Sequence, residues 1–299
     1  MGTIPPITQS DWQEVFTKYQ QFPEYKMKNF GMTLEEFKGI FLWEYGHRVL
    51  GRFIGLLFLL PFLFFIWKKW IRGSEISKLL LIFILGGAQG LLGWYMVKSG
   101  LVNRPEVSHY RLAAHLSLAL FLLGAIYWTF LDYGVRLRKP KLSYGRPPVI
   151  LNRLSWIVLS LLGVQIFYGA FMAGLDGGLI FNTFPLMNGY VFPPGALAMS
   201  PTWVNVFENA VAVQWVHRVL GFLLVILIAA MWLIGAKNTL NRPQKISLNF
   251  LLFVTLLQFC LGVGTLLFRV PVPLASLHQI GASVLILLCL NAIHKFKVE

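Results

Sequence analysis

The sequence predicts an all-α polytopic membrane protein with seven transmembrane helices in two repeated bundles. Three observations carry this prediction. Of the 299 residues, 57% are hydrophobic and only 13% charged, a balance foreign to soluble domains. Apolar runs of roughly 20 residues, the length that spans hydrocarbon, recur along the whole chain. These runs are continuous and lack the strict alternation of a transmembrane barrel strand.

In chain order, residues 1–43 are polar with scattered charges of both signs, and they carry no cleavable signal peptide pattern. Apolar runs follow at 46–67, 79–97, 110–131, 152–173, 212–234, 247–268 and 274–293. The implied organisation is an outer segment 1–43, a first bundle 44–131, a basic loop 132–151, a second bundle 152–293 with an outer loop 174–211, and a tail 294–299.

The net charge of +14 would suit a nucleic-acid binder, but its distribution points to membrane topology. Four basic residues lie in 68–78 (Lys68, Lys69, Arg72, Lys78) and six in 132–153 (Arg136, Arg138, Lys139, Lys141, Arg146, Arg153). The stretch 235–246 holds three, and the tail adds Lys295 and Lys297. The opposite loops hold Lys98 and Arg104, none in 174–211, and Arg269. Basic loops stay cytoplasmic, so the C-terminus is expected inside and residues 1–43 outside. The four lysines of that outer segment are tolerable in an N-terminal domain. Cys260 and Cys289 both fall within helices, which argues for core-filling residues and against a disulfide.

The chain repeats itself. Glu44-Tyr-Gly-His47-Arg48-Val-Leu-Gly51 returns as Gln214-Trp-Val-His217-Arg218-Val-Leu-Gly221. Gln89-Gly-Leu-Leu-Gly93 returns as Gln258-Phe-Cys-Leu-Gly262, and His115 answers His278. Parallel repeats imply two similar bundles. The second contains four helices and the first three, so the repeat implies an ancestral first helix ahead of Met1.

Four of six histidines, His47, His115, His217 and His278, are expected within the first two turns of helices entering from outside. A single intramembrane histidine is as readily a packing residue. Four related in pairs at equal depth suit heme iron, which accepts two neutral imidazoles from facing helices. Four residues after each comes a small residue (Gly51, Ala119, Gly221, Ala282), leaving a shallow helix surface for a flat macrocycle. Of 26 basic residues, only Arg48, Arg52, Arg111 and Arg218 lie outside loops and tails, each within five residues of a paired histidine. Heme propionates would supply their partners; snorkelling to the interface is the competing account. His109 and His294, without repeat partners, are expected at the interface, and His109 could reach a propionate.

Glu44 breaks the symmetry. It precedes His47 by three residues on one helical face, where the second unit has Gln214. A proton-handling group at one site and an amide at the other suit a site of chemistry beside a site that feeds it electrons. Satisfaction by Arg48 or water is the structural alternative. The outer loop 174–211, with Asn182-Thr183-Phe184-Pro185 and Asn188-Gly189, has no basic residue and is apolar enough to form a lid.

Glu44–Arg48, Gln214–Arg218, the loop Gly174–Gly189 and Tyr19-Gln-Gln-Phe-Pro-Glu24 together resemble the heme A synthase family, in its mitochondrial and Gram-negative branch. The resemblance covers nearly the whole chain. It implies an eight-helix oxidoreductase of the bacterial inner membrane, or the mitochondrial one in a eukaryote. The implied reaction oxidises the C8 methyl of heme O to a formyl group, giving heme A for cytochrome oxidase. By resemblance, His47 and His115 ligate the substrate heme, Glu44 is the essential acid, and His217 and His278 hold a heme B cofactor. The chain departs from the family in lacking a first helix, and the outer-loop cysteine pair of the other branch is absent. Heme O synthase, cytochrome oxidase assembly factors and a second copy of the chain are partners the resemblance leaves open, as it does the electron donor. No nucleic acid is expected. Two other functions compete: a diheme b-type electron carrier and a heme carrier or transporter. The contrast of Glu44 with Gln214 favours the enzyme.

Overall fold

The computed structural model describes residues 5–100, 107–137 and 147–297. Arg104, Arg138, Lys139, Lys141 and Arg146 of the predicted loops lie outside them. Among the described residues seven helices are long and apolar enough to cross a membrane, and each matches one predicted run, the run 247–268 ending one residue past its helix. The sole β pairing among those residues is an isolated bridge between Met187 and Tyr190. The chain divides into two compact units, Met1–His115 and Leu116–Glu299.

In the first unit, α1 (Gln9–Tyr19) starts at a capping box in which Thr8 and Asp11 satisfy each other's backbone N–H. A short α2 (Pro23–Met27) follows, with proline at its first position. Next comes α3 (Leu34–Trp67), opened by a second capping box between Thr33 and Glu36. At 34 residues it is about 51 Å long, well beyond the ~30 Å of hydrocarbon. The helix therefore begins twelve residues before the predicted run. Hydropathy registers only the lipid-spanning part, whereas residues 34–45 are amphipathic and bury Phe37 and Phe41 beneath Phe16 and Tyr19. Phe41 stacks in turn on Tyr45, and the Asn29 amide donates to the Tyr19 hydroxyl at 2.7 Å. The N-terminal segment is thus a folded cap on the projecting end of α3. α4 (Ser74–Gly100) packs against α3, and the first turns of α5 (His109–Leu137) complete the unit.

The second unit holds the rest of α5, then α6 (Val149–Gly174), a long loop with the short α7 (Asn205–Glu208), α8 (Ala210–Ala236), α9 (Arg242–Leu267) and α10 (Val272–Phe296). Its core is built from stripes three and four residues apart: Leu151, Val158, Leu162 and Ile166 on α6, Leu224, Ile228 and Met231 on α8, and Leu285, Cys289, Ile293 and Phe296 on α10. The Asn152 and Gln244 amides donate to Phe296 O and Lys295 O, tying α6 and α9 to the end of α10. Leu116, Leu120, Tyr127 and Trp128 of α5 pack on this core. Cys289 is buried, as expected, but Cys260 is exposed on α9 and fills no core. His294 is not merely interfacial: its Nε2 lies 3.3 Å from Asp132 Oδ1 and its ring meets Trp128 edge-on. Large apolar side chains left exposed on the spanning helices, such as Leu60, Ile226 and Phe253, suit contact with lipid.

Candidate functional site

In the second unit, α8 carries His217 and α10 carries His278, each about two turns from its helix start. The two rings lie within Coulombic range of each other. Each rests against a glycine of the preceding membrane-length helix. A Cβ built on Gly262 of α9 would come within 2.8 Å of His278 Cε1, and one built on Gly169 of α6 within 3.4 Å of His217 Cε1. One turn along each helix stands a glutamine: Gln258 Nε2 donates to His278 O at 2.7 Å, and Gln165 Nε2 lies 3.3 Å from His217 Nε2. Gly221, predicted as a small residue beside the ligand, faces the Gln165 amide.

Loop 174–211 is a folded lid on this unit. Asn188-Gly189, both at positive φ, form the two-residue turn of a tiny hairpin between Met187 and Tyr190. Thr183 Oγ1 accepts from Asn188 N at 2.7 Å. Asn205 bonds Met199 and Thr202, while Asn209 caps α8 and also donates to Gly195 O. Asn182 bridges Gly178 O to Leu266 O at the end of α9, and Phe184 stacks on Phe222 and meets Phe259 edge-on. The lid is held from below by the repeat motif itself. Gln214, fully buried, donates to Phe181 O at 2.9 Å, and Arg218 donates to Thr183 O and Phe181 O at 2.8 and 2.7 Å. Two of Arg218's three nitrogens therefore serve the lid, a role the sequence did not suggest; its buried Nε has no partner.

In the first unit, His115 on α5 sits against Gly93 of α4, where an added Cβ would approach Cε1 to 2.7 Å. Gln89 Nε2 donates to His115 O at 3.0 Å and lies 3.4 Å from the ring's Nε2. His115 lies within Coulombic range of His47. His47 itself stands thirteen residues into α3, further from its helix start than the other three, because α3 begins early. Glu44 Oε1 is 3.6 Å from Arg48 Nη1, with both side chains about a third exposed. Glu24 of the cap faces the same carboxylate: burial first, and the charge of Glu44 second, raise its pKa above the ordinary carboxylate value. The Arg111 guanidinium lies 4.9 Å from the Tyr95 ring, and Arg52 is exposed. His109 is buried at the start of α5.

This donor set fits heme better than a bare ion. Each unit brings together two imidazoles, enough for an iron already held by four porphyrin nitrogens. Among the described residues no cluster of three or more His, Cys, Asp or Glu could hold a metal ion by itself. Buried polar atoms without a partner gather at the histidines: Nδ1 of His115, His217 and His278, and Oε1 of Gln89, Gln165, Gln214 and Gln258. Gln165 and Gly169 were missed in the sequence, although their spacing copies Gln89/Gly93 and Gln258/Gly262.

Known proteins resemble this chain over nearly its whole length. Residues 1–290 match the family described as cytochrome oxidase assembly protein. The heme A synthase of Parvibaculum lavamentivorans is 43% identical over 294 residues, covering 98% of this chain and 83% of that protein. That of Nitrosospira multiformis is 43% identical over 297 residues, covering 99% and 83%. A Wolbachia pipientis heme A synthase is 43% identical over 284 residues, covering 95% and 82%. With a family match spanning nearly its whole length, this polytopic chain belongs to the cytochrome oxidase assembly protein family.

Proposed function

We propose that this chain is a heme A synthase, a membrane oxidoreductase that converts heme O to heme A by oxidising the C8 methyl group to a formyl group. The similarity to heme A synthases over 98% of the chain supports the activity. The observation that carries the site assignment is the pairing of His47 with His115 and of His217 with His278, each within its own unit.

In this reading His47 and His115 hold the substrate heme, and His217 and His278 hold a heme B. When bound, heme B supplies one-electron chemistry that relays reducing equivalents. The residues of the chain do the rest. Glu44, partly exposed and paired with Arg48, is the group able to take or give a proton beside the substrate site. Its counterpart Gln214 is buried, cannot titrate and bonds the lid, which supports assigning chemistry to the first unit and storage of the cofactor to the second. Arg48, Arg52 and Arg111 are the propionate partners of the first site; Arg218 would turn its Nε to a propionate while its other nitrogens keep the lid shut. The lid's apolar Phe184 and its bonded loop keep water from the second site.

The charge asymmetry of the loops supports an inner-membrane topology with the C-terminus and basic loops in the cytoplasm and both lids outside. The test is direct. Protein expressed with a heme O source should carry low-spin bis-imidazole heme, and extraction should yield heme A or its hydroxylated intermediate. Recovery of heme B alone would overturn the synthase reading, and protein without heme would overturn the ligand assignment.

A further inference from the structure

Three of the four paired histidines sit in the same local setting, and the setting repeats outside the motifs that carry the histidines. In each case the membrane-length helix preceding the histidine's helix presents Gln-x-x-x-Gly: Gln89/Gly93 to His115, Gln165/Gly169 to His217, and Gln258/Gly262 to His278. We propose that these pairs are imidazole sockets, positioning residues that seat each ring beside its helix through the room left by the glycine and a hydrogen bond from the glutamine amide. The proposal rests on the assignment of these histidines as heme ligands.

The glycine half of the socket is steric. The Cε1 edge of each ring points at the glycine, and a methyl group there would lie 2.7 Å from His115, 2.8 Å from His278 and 3.4 Å from His217. At the first two, the ring could stay only by turning its χ angles or pushing the helices apart. Spacing by four residues puts the glutamine on the same face, one turn away. Its amide is the hydrogen-bonding half. A carboxamide nitrogen donates and never accepts. At Gln89 the amide's orientation follows from its bond to a backbone carbonyl, His115 O, which only accepts. The same –NH₂ faces His115 Nε2, and the Gln165 –NH₂ faces His217 Nε2. These contacts hold each ring at one place beside the neighbouring helix. Gln258 acts on its histidine through the backbone carbonyl. The sockets are not a generic small-residue stripe: Gly90 on α4, with no atom within 4 Å of an added Cβ, and Gly264 on α9, with its nearest at 4.0 Å, lie beside the same helices and touch no histidine. No such pair stands beside His47 among the described residues, so the inference covers three ligands.

The test uses full-length protein purified with its heme, read by heme content, optical and electron-paramagnetic spectra, and the midpoint potential of the second-unit heme. Gly262→Ala and Gln165→Leu should each weaken heme retention about 10–100-fold or convert the low-spin signature to high-spin. Gln165→Glu, which removes the amide N–H beside His217 and adds a negative charge, should shift the potential and spectrum although it fills the same space. Gly264→Ala, one turn-half away on α9, should match wild type. If Gly262→Ala does not accumulate in the membrane, the Gln165 pair of variants decides. Should His217→Ala and His278→Ala keep the wild-type spectrum, the ligand reading itself is overturned. Should those two lose the signature while Gly262→Ala, Gln165→Leu and Gln165→Glu all match wild type, the sockets alone are overturned.

Discussion

Replacing Glu44 by Gln copies the second unit's residue into the first and separates chemistry from structure. The structural contribution of Glu44 can be bounded from its geometry. Its Oε1 stands 3.6 Å from Arg48 Nη1, with the two side chains 35% and 31% exposed. At an effective dielectric near 20, two charges at that distance attract by about 4–5 kcal/mol before solvation is counted. Partly solvated pairs of this kind retain about 0.2–1 kcal/mol in measurements, because both ions keep much of their water. Glu44→Gln should therefore change stability by less than about 1 kcal/mol and leave heme content and the bis-imidazole spectrum as in wild type. A proton-transfer group in the reaction contributes about 10²–10⁴-fold to rate. Heme A formation, measured by extraction and chromatography after expression with heme O, should fall by that order. Wild-type yield of heme A from the variant would make Glu44 a structural partner of Arg48. Loss of heme from the variant would make it part of the binding framework and refute the division of labour.

Two further expectations concern the caps over each unit. The Glu24 carboxyl is raised by burial and by Glu44, so its packing is favourable while protonated and weakens as pH rises through its folded value. Hydrogen-exchange protection of residues 9–30, with the intrinsic pH dependence of amide exchange divided out, should accordingly be greater below the Glu24 midpoint than above it, and Glu24→Gln should flatten that profile; an unchanged profile of protection in the variant would refute the cause. Arg218→Leu removes the two charge-assisted bonds to Thr183 O and Phe181 O, each worth about 1.5–3 kcal/mol. Residues 181–191 should then exchange and be cleaved far faster, while α6 and α10 stay protected; a lid as resistant as wild type would show that Gln214 and Asn182 suffice.

The seven spans, the paired histidines and the contrast of Glu44 with Gln214 were legible in the sequence. Hydrocarbon demands continuous apolar runs, and the repeat writes its histidines twice in nearly the same words. The extension of α3 back to Leu34 was not legible, because a capping box and an amphipathic turn outside the lipid carry no hydropathy signal. Arg218 looked free for a propionate because backbone carbonyls of a loop thirty-five residues away leave no mark in sequence. The sockets show the division most clearly. Gln89/Gly93 and Gln258/Gly262 stood out as a repeat without a role, and Gln165/Gly169 did not stand out at all. Which histidine a glycine makes room for, and which ring nitrogen an amide faces, depends on how two helices meet. Packing between residues tens of positions apart sets that, and only the folded chain contains it.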